Sequence, residues 1–599
     1  MRVCDYLASK LVEIGVKDVF LVTGGGSMFL TDGLACNEKL NKIPCLHEQG
    51  AAMAAVANAH YNENYGACFV TTGCGATNTI TGILHAWQDH IPVIFVSGQC
   101  NRNERITSVK TKVRAIGQQE VNIVPIVESI TKYAVTIVEP DEAVYHIEKA
   151  IYLAKEGCWG PVYLDVPMDI QEAEINPENL KHFSPSELIF KDYKPTDEDI
   201  AYIKKALEES ERPIVIMGAG IRDGKAIEDF DEFIHKNNIP FVGTRRGWDI
   251  LPKSDELHVG LADIRGNRAA NMAMQNADLV LVLGSRLSVF TTGYNYELFA
   301  RGAKKIIAVN VDSEELNKGT VRIDRKVVAD VKSVLQSLKN IKLNSLDAWR
   351  EKCLHWKDVF PVFTDDQNID SDGMSKFAFI RELNNNLKED SVVITDAGAT
   401  TEIPMQGLVF NSKKQRYIGS ATQCEMGYSL PACVGVGTAR NKKDVIVIVG
   451  DGSLQMNIQE LQTIQTQKIP AKIFVWNNGR YGSIYGHQKG LFKGRFVGVD
   501  ESSGTIFPNL EKIANAYGYK YLKVSNIKEL KDKLPSIMND AVAVICDVLV
   551  WKEEANPMVK GKMRLSDGSR IALAPEDMFP PVDRELFVKE MIIEPIKWW

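Results

Sequence analysis

At 599 residues the chain is too long for a single hydrophobic core, and its length predicts three or four domains. Apolar residues make up 45% and charged residues 25% of the sequence, which is the balance of a folded globular protein and excludes a disordered chain. The 70 basic side chains against 77 acidic ones give a net charge of −7, which offers no basic surface for nucleic acid or an anionic membrane.

Targeting and redox signals predict a reduced, cytoplasmic protein. The N-terminus carries acidic residues in a helical pattern, which is not the pattern of a signal peptide. No apolar run reaches the roughly 18 residues that a membrane-spanning helix needs. The 11 cysteines include no C-x-x-C pair, so the sequence predicts neither a disulfide framework nor a zinc site.

Strands and helices alternate in the predicted structure of residues 1–171. The predicted strands cover residues 18–22, 44–46, 67–71, 93–96 and 159–167, and the predicted helices cover 4–14, 28–35, 50–60 and 80–88. A turn of small residues is predicted at 72–78. Strands that alternate with helices predict a parallel, doubly wound sheet.

Two more units with the same alternation follow. A polar linker at 172–195 leads to a second unit at 196–340, which begins with the run 212–220. Its further strands are predicted at 240–243, 279–283 and 305–311. After a linker at 341–370, a third unit covers 371–560, and a tail covers 561–599. The sequence therefore predicts an α/β protein of three doubly wound parallel-sheet domains.

The stretch Val445–Gly482 is predicted to form a buried strand, a glycine turn, a helix at 454–467 and a second buried strand. Asp451 follows the first strand, and Asn478 follows the second strand 27 positions later. Ligands of parallel sheets bind at the carboxyl ends of the strands, so these two side chains are expected to meet there. Carboxylate and amide oxygens suit Mg²⁺, while the glycines and the helix N-terminus suit phosphate. Taken alone, Gly-Asp-Gly is also typical of an ordinary turn.

The complete pattern, Gly450-Asp451-Gly452-Ser453 followed by Asn477-Asn478, resembles the motif of thiamine diphosphate (ThDP) enzymes. The resemblance implies that Asp451, Asn478 and the backbone carbonyl of Arg480 hold Mg²⁺ against the diphosphate. It also places the diphosphate end of the cofactor at the turn that begins at Asp396. The cofactor-binding residues that it implies in the third unit are Gly398, Ala399, Thr400, Gly450, Asp451, Gly452, Ser453, Asn478, Arg480, Tyr481 and Gly482.

Glu48 is the candidate catalytic residue of the first unit. The runs His47–Ala52 and Thr72–Asn78 resemble the pyrimidine-binding domain of the acetohydroxyacid synthase group of ThDP enzymes. The resemblance implies that Glu48 hydrogen-bonds the aminopyrimidine ring and favours its imino tautomer, which takes the proton from thiazolium C2. An isolated Glu here would be only a favourable acid at a helix N-terminus. Cys74 replaces a proline that is usual in the family, which predicts an altered turn without loss of function.

The loop at 110–120 is basic and then polar. One interpretation is a solvated loop without a role. In the family pattern, Gln119 matches a glutamine that faces the reacting thiazolium carbon and is thus a second catalytic candidate. Lys110, Lys112 and Arg114 would then meet an anionic substrate, a carboxylate or a phosphate.

The run Cys424–Ala432 resembles a family pattern, G-x-M-G-x-x-L-P-A. The resemblance implies that Met426 is the bulky cofactor-binding residue that holds the two rings of ThDP in a bent conformation. A methionine at an apolar position is otherwise more often part of a core. Glu425 is polar where the family usually has a small residue, and this predicts a contact with substrate.

The middle unit holds FAD in some family members, ADP in others and no nucleotide in many. Gly218-Ala219-Gly220, Gly284-Ser285-Arg286 and Asn310-Val311-Asp312 lie at predicted strand ends where an adenine nucleotide would bind. Asn310 replaces the usual acidic residue, and Leu287-Ser288 replaces an acidic pair. Both FAD and ADP therefore stay open as ligands.

The resemblance covers nearly the whole chain and implies a ThDP- and Mg²⁺-dependent enzyme that decarboxylates a 2-oxo acid and transfers the product to a carbonyl acceptor. Acetolactate synthase-like carboligation is favoured because the first unit lacks the His-His pair of simple pyruvate decarboxylases. Cys74, Val22-Thr23 and Glu425 depart from the biosynthetic pattern. A specialised decarboxylase that releases an aldehyde stays open, as does transfer to a sugar-type acceptor in surface-polysaccharide synthesis, suggested by the loop Thr23–Gly26.

Assembly and other classes of function complete the analysis. In the family, Glu48 of one subunit would serve the cofactor held by Asp451 and Asn478 of another, which implies at least a homodimer and commonly a tetramer. A non-catalytic scaffold would need none of these three residues. An NAD-dependent redox enzyme is disfavoured because no G-x-G-x-x-G follows a strand with an acid about 20 residues further on.

Overall fold

Three parallel sheets of six strands each, covered by helices on both faces, make up the described part of the chain and confirm the predicted fold class. The computed structural model describes residues 1–189, 191–561, 563–564 and 568–597. Parts of the predicted tail, residues 562, 565–567 and 598–599, lie outside the described residues. In the described ranges no helix is both long and apolar enough to cross a membrane.

Each sheet belongs to one of the three predicted units. The strands of the first sheet are β1 Asp18–Leu21, β2 Asn41–Pro44, β3 Gly66–Val70, β4 Val93–Gln99, β5 Tyr133–Thr136 and β6 Val162–Pro167. Those of the second are β7 Pro213–Met217, β8 Phe241–Gly243, β9 His258–Leu261, β10 Leu279–Leu283, β11 Lys305–Asn310 and β12 Arg325–Val328. Those of the third are β13 Val392–Thr395, β14 Arg416–Ile418, β15 Val445–Gly450, β16 Ala471–Asn477, β17 Lys520–Val524 and β18 Val544–Leu549.

The helices cover the apolar faces of these sheets. Those of seven residues or more in the first unit are α1 Val3–Glu13, α2 Met28–Cys36, α3 Glu48–Asn62, α4 Ile80–Gln88 and α5 Ala143–Lys155. The second unit and its connector contribute α6 Asp197–Glu208, α7 Ile227–Asn237, α8 Arg268–Asn276, α9 Val331–Ser337 and α10 Asp347–Val359. The rest are α11 Lys376–Asn384, α12 Ala399–Gly407, α13 Ser429–Ala439, α14 Glu460–Thr466, α15 Gly482–Leu491, α16 Leu510–Ala516, α17 Ile527–Met538 and α18 Arg584–Glu590.

The first and third sheets have the same topology. The strand order is β2-β1-β3-β4-β6-β5 in the first and β14-β13-β15-β16-β18-β17 in the third, while the middle sheet runs β12-β11-β10-β7-β8-β9. Glu48 follows β2 and the segment with Met426 follows β14, so they occupy equivalent places in the two sheets. The turn before Asn78 and the turn at Asp451 likewise follow the equivalent strands β3 and β15.

The equivalent helices α3 and α13 join the first and third units into one hydrophobic core. Residues from Gly50 to His60 in α3 are buried on every side, which its run of alanines permits. Asn58 Nδ2 donates to the carbonyl of Gly435 at 3.1 Å and to Asp18 Oδ2 at 3.0 Å. At the start of α3, Gln49 Oε1 accepts from Asn457 Nδ2 at 3.1 Å, so the residue next to Glu48 is also held against the third unit of the same chain.

The helix predicted at 454–467 is wrong in its bounds. The chain is helical from Asp451 to Leu454, forms a 3-10 turn at Gln455–Asn457 and then enters α14. Contacts between units override the apolar periodicity, because Asn457 Nδ2 donates to Gln49 Oε1 of the first unit at 3.1 Å and Glu460 accepts from the backbone N–H of Leu46 at 3.2 Å. Asp451 consequently opens a helix instead of lying in a loop.

Two further boundaries differ in the first unit. The small-residue turn predicted at 72–78 contains a short helix, Cys74–Asn78, so the altered turn expected at Cys74 is a helix start. The strand predicted at 44–46 is β2, which lies three residues earlier because its register with β1 pairs Asp18 with Asn41 and Leu21 with Pro44.

A buried ion network joins all three units. Asp249 of the middle unit accepts from Arg222 Nη1 at 3.0 Å and lies 3.3 Å from Arg416 Nε of the third unit. Arg416 Nη1 also contacts Glu63 Oε1, at the end of α3, at 3.1 Å. Burying charges is favourable only when each has partners, and Asp249 is the carboxylate that both arginines share.

Replacing Asp249 by Ala is expected to destabilise the protein by about 3–5 kcal/mol, because two buried arginines lose their common partner. Denaturant or thermal unfolding of the purified variant measures this loss. Glu389→Ala, which breaks an ion pair whose side chains are 67% and 70% exposed, is the matched control and should change stability by less than about 1 kcal/mol. Equal stability of the two variants would contradict the structural role of the network.

Asp165 in β6 is a fully buried carboxyl that ties together the ends of three strands. Its oxygens accept from Ser97 at 2.7 Å, Thr136 at 3.0 Å and Gln99 at 3.3 Å. Burial outweighs these hydrogen bonds and raises the pKa of Asp165 from 3.8 to about 6. Because the folded state binds this proton more tightly than the unfolded state, ionisation of Asp165 costs folding free energy.

Wild-type protein is therefore expected to lose stability relative to Asp165→Asn as the pH rises from about 4 to about 6, with the difference constant above that range. The raised pKa of Asp165 corresponds to a loss of about 3 kcal/mol at most in the free energy of unfolding. Thermal unfolding of both proteins across this pH range measures the difference. A stability difference that does not change with pH would show that Asp165 keeps its ordinary pKa in the folded protein.

The connector and the tail pack on the middle unit. The predicted linker at 341–370 contains α10, whose Trp349 and Trp356 are buried in the middle unit's core. In the tail, Glu576 Oε2 accepts from Gln275 of α8 at 2.7 Å, and Glu590 contacts Lys352 of α10 at 2.6 Å. These contacts hold the described part of the tail on its own chain.

Candidate active site

The carboxyl ends of β15 and β16 bring Asp451 and Asn478 together, as their spacing predicts. Asp451 Oδ2 accepts from the backbone N–H of Asn478 at 3.1 Å and of Gly479 at 2.7 Å. Asn478 Oδ1 accepts from the N–H of Arg480 at 3.1 Å, which curls the chain around the amide. Burial raises the pKa of Asp451 to about 6 although these backbone N–H groups favour its charged form.

Two longer helices begin beside this pair. Gly398 precedes α12 with φ +69°, a left-handed conformation that favours glycine, and a Cβ there would lie 2.9 Å from Ser483 Oγ at the start of α15. The first N–H groups of both helices, which include those of Ala399 and Thr400, are thus brought to one place. Helix N-termini favour anions such as phosphate.

Asp396, for which the sequence predicts only the start of a turn, organises this edge of the third sheet. Its Oδ1 accepts from the N–H of Gly427 at 2.9 Å, and its Oδ2 accepts from the N–H of Ser429 at 2.9 Å. The carboxyl is buried, and burial raises its pKa. Asp396 therefore fixes the segment around Met426 relative to Gly398. An aspartate directly after a buried apolar strand was the available signal.

In the first unit, Glu48 is the first residue of α3 and is half-buried. Its Oε2 accepts from Asn78 Nδ2 at 2.9 Å, and its Oε1 lies 3.5 Å from where a Cβ on Gly75 would be. Gly73, with φ +65°, lies so close to the carbonyl of Gln119 that any Cβ would clash with it. The turn after β3 therefore brings both predicted catalytic residues, Glu48 and Gln119, to one region.

The predicted residues thus fall into two groups on one chain. Glu48 and Gln119 lie in the first unit, whereas Asp451, Asn478 and the residues around them lie in the third. No hydrogen bond among the described residues joins Glu48 to Asp451 or Asn478. Met426, in the segment that follows β14, is half-buried. Each group is placed as the carboxyl ends of parallel strands require.

Residues after Asn478 line the third-unit group. Tyr481 donates its backbone N–H to Val499 at 2.9 Å, and its ring meets Phe507 edge-on at 5.1 Å. The Arg480 guanidinium lies 4.0 Å from the Tyr485 ring.

Lys110, Lys112 and Arg114, which precede Gln119 in the loop of the first unit, are exposed. The structure gives these three no fixed partner among the described residues.

The third-unit group fits a diphosphate with Mg²⁺. A Cβ on Gly450 or Gly479 would meet none of the described atoms within 4 Å, so there is open space over the Asp451 turn. Within the described chain, Arg480 Nε and Nη1 are buried without a hydrogen-bond partner, and Nη1 lies 3.8 Å from Glu553 Oε1. The oxygens of Asp451 and Asn478 are hard ligands of the kind that Mg²⁺ prefers.

A cavity of about 340 Å³ lies where the middle unit meets the other two. Each of the three predicted nucleotide loops contributes to its wall, through Gly220, Arg286 and Asn310. Asp89 of the first unit and Thr422 of the third also line it. The predicted loops therefore form one concave surface.

Three family models match the chain in the order of the three units. They are described as thiamine pyrophosphate enzyme, N-terminal TPP binding domain, at residues 1–125; thiamine pyrophosphate enzyme, central domain, at 200–338; and thiamine pyrophosphate enzyme, C-terminal TPP binding domain, at 396–548. Fold and matches together define the class of the protein, an enzyme that uses thiamine diphosphate.

Comparison with curated proteins narrows this class. The chain is 32% identical to the acetolactate synthase large subunit of Lactococcus lactis subsp. lactis, over 91% of this chain and 92% of that protein. It is 31% identical to the probable acetolactate synthase large subunit of Methanocaldococcus jannaschii, over 99% of both. It is 29% identical to the chloroplastic acetolactate synthase 1 of Nicotiana tabacum, over 93% of this chain and 83% of that protein. The chain belongs to the acetolactate synthase-like family of ThDP enzymes.

Proposed function

We propose that this enzyme decarboxylates a 2-oxo acid and transfers the resulting two-carbon or longer fragment to a carbonyl acceptor, with ThDP and Mg²⁺. The observation that carries the proposal is the pairing of Asp451 with Asn478 at adjacent strand ends, beside the N-termini of α12 and α15. Bound ThDP supplies the electron sink that makes loss of CO₂ from a 2-oxo acid feasible.

The third unit provides the binding part of this function. Asp451 and the side-chain oxygen of Asn478 would hold Mg²⁺, with the backbone carbonyl of Arg480 as a further ligand. The N–H groups of Ala399 and Thr400 and the start of α15 would bind the diphosphate. Asp396 keeps these loops in register through its hydrogen bonds to Gly427 and Ser429.

The first unit provides the acid–base part. Asn78 donates to Glu48 Oε2 and so orients the carboxyl group, whose Oε1 would exchange a proton with the aminopyrimidine ring of bound ThDP. Gln119, on the exposed loop held at Gly73, would orient substrate at the entrance. Lys110, Lys112 and Arg114 beside it favour an anionic substrate.

Product analysis tests the reaction. The purified protein with ThDP and Mg²⁺ is incubated with pyruvate and other 2-oxo acids, alone and with added aldehydes or sugar-type carbonyls, and products are identified by mass. Acetolactate from pyruvate supports the proposal. Free aldehyde as the sole product would replace carboligation by simple decarboxylation. CO₂ release only with a sugar-type carbonyl would assign the acceptor to that class.

We also propose a homodimer at minimum, with a tetramer as the larger assembly, because Glu48 and Asp451 lie in separate groups of one chain. Two inactive variants, Glu48→Gln and Asp451→Ala, test this by mixing after mild dissociation. If each site takes Glu48 from one chain and Asp451 from another, each mixed dimer holds one intact site of its two. In an equimolar mixture half of the dimers are mixed, so the mixture regains about a quarter of the wild-type activity. No recovery in demonstrated mixed dimers would place both residues of a site on one chain.

For the cavity of the middle unit we propose an adenine nucleotide, either FAD or ADP. The proposal is supported by the position of the three glycine- and asparagine-containing loops in its wall. Release of the bound ligand by heat denaturation, followed by absorbance and mass measurement, distinguishes the two. Yellow absorbance of the released ligand identifies FAD, and the mass of ADP without that absorbance identifies ADP. If freshly purified protein releases neither nucleotide, the proposal is contradicted.

A further inference from the structure

One face of helix α4 is attached to the segment that leads to Met426. Thr81, His85 and Asp89 are spaced by four residues and so lie on one side of the helix. Thr81 accepts from Gln423 Nε2 at 3.3 Å through its carbonyl, and Asp89 Oδ2 accepts from the N–H of Ala421 at 2.8 Å. The first unit thereby holds a loop of the third unit at several points.

The central contact of this face is an ion pair between His85 and Glu425. His85 Nδ1 lies 2.6 Å from Glu425 Oε1, and the two side chains are 0% and 8% exposed. On the other side of the ring, Nε2 lies 3.4 Å from Asp89 Oδ2, and the Tyr428 ring covers the imidazole at 4.8 Å. Burial lowers the pKa of His85, but Glu425 and Asp89 together raise it to about 10.

Glu425 depends on this one partner. Its second oxygen, Oε2, is buried and has no hydrogen-bond partner among the described residues. A buried carboxylate with a single cationic partner is costly to leave unpaired. Loss of the His85 charge would therefore be expected to move Glu425, and with it the backbone on which it sits.

The backbone around Glu425 has little freedom. Cys424 has φ +52° and Gly427 has φ +84°, so Glu425 and Met426 form a two-residue tip between two left-handed residues. Asp396 and Asn457 fix one side of this tip by hydrogen bonds to the N–H and carbonyl of Gly427. On the other side Ser420 and Arg245 hold Cys424, and His85 holds the Glu425 side chain itself.

We propose that His85 and Glu425 are positioning residues whose ion pair, formed between the first and third units, sets the placement of the Met426 side chain in the active site. The inference rests on the proposed function for its effect on catalysis. The ion pair also accounts for the acidic residue at position 425, for which the sequence predicts a contact with substrate. The carboxylate binds a residue of its own chain.

The position of Met426 can be measured without cofactor or substrate. Protein labelled with ¹³C at the methionine methyl groups gives one resonance per methionine, and a Met426→Leu variant identifies that of Met426. In Glu425→Gln and in His85→Gln the Met426 resonance is expected to shift or broaden, because each variant lacks one charge. The double variant, in which two amides can hydrogen-bond, is expected to return it towards the wild-type position.

Activity then separates positioning from folding. Each single variant is expected to lower kcat at least about tenfold, with a smaller change in KM, and the double variant to recover part of that loss. Glu389→Gln, in an exposed ion pair, is the matched control. An unchanged Met426 resonance in both single variants would overturn the proposal. Displaced resonances in a protein whose wild type turns over no 2-oxo acid would retain the positioning role and contradict the proposed function instead.

Discussion

Replacing Glu48 by Gln is expected to lower turnover of a 2-oxo acid by about 10²–10⁴-fold, the usual contribution of a positioned acid–base group. The substitution keeps the shape of the side chain and an oxygen that accepts from Asn78, so the fold of α3 should be retained. The amide, however, neither gives nor takes the proton that a carboxyl group exchanges. Steady-state kinetics with saturating ThDP and Mg²⁺ measure the loss.

The Glu48 prediction is specific because cofactor binding is expected to stay nearly intact. Titration of ThDP into the variant should give a dissociation constant close to that of the wild type. Glu38→Gln, at an exposed position of the same unit, is the control for a Glu-to-Gln change as such. Glu38→Gln should keep full activity. Full activity of Glu48→Gln as well would contradict the proposed mechanism.

Replacing Asp451 by Ala is expected to weaken ThDP binding in the presence of Mg²⁺ by about 100-fold or more, because the substitution removes the carboxylate that we propose as a ligand of the metal. The change also leaves the N–H groups of Asn478 and Gly479 without their acceptor, which loosens the turn that positions Asn478. Calorimetric titration of ThDP at fixed Mg²⁺ measures the effect.

Asp532→Ala is the matched control for Asp451→Ala, since Asp532 is exposed in the same unit. It should bind ThDP as the wild type does. Far-ultraviolet circular dichroism of both variants checks that the fold is present. ThDP binding of undiminished affinity and undiminished Mg²⁺ dependence in Asp451→Ala would place the metal site elsewhere.

The sequence predicted the parts of the fold that depend on local pattern. Buried parallel strands such as β15 and β10 are continuous apolar runs, and they were predicted to within a residue or two. Two edge strands, β12 and β17, were not predicted; they begin with Arg325 and Lys520 and are partly exposed. An edge strand needs no apolar run, because one side of it faces solvent.

The meeting of Asp451 with Asn478 could be predicted because strand ends in a parallel sheet share one edge. Contacts between units could not be predicted in this way. Glu460 binds the N–H of Leu46, and His85 binds Glu425, across hundreds of residues of sequence. A buried acid in an apolar helix, as at Glu460, signals only that a partner is needed and does not identify it.

The shared topology of the first and third sheets also explains the two-group site. Glu48 and the tip at Met426 follow equivalent strands, and α3 packs on α13 along the junction of the two units. Each chain therefore carries the group around Glu48, proposed for acid–base chemistry, in one sheet and the group around Asp451, proposed to bind the diphosphate, in the other. The proposed dimer would combine the two kinds of group between chains.

The most direct test of the account is CO₂ release from pyruvate and a panel of other 2-oxo acids by the purified protein, measured with and without ThDP and Mg²⁺. We predict release that requires both ThDP and the metal and is lost in Glu48→Gln. Release that is independent of ThDP would contradict the account, as would wild-type protein that binds no ThDP at all.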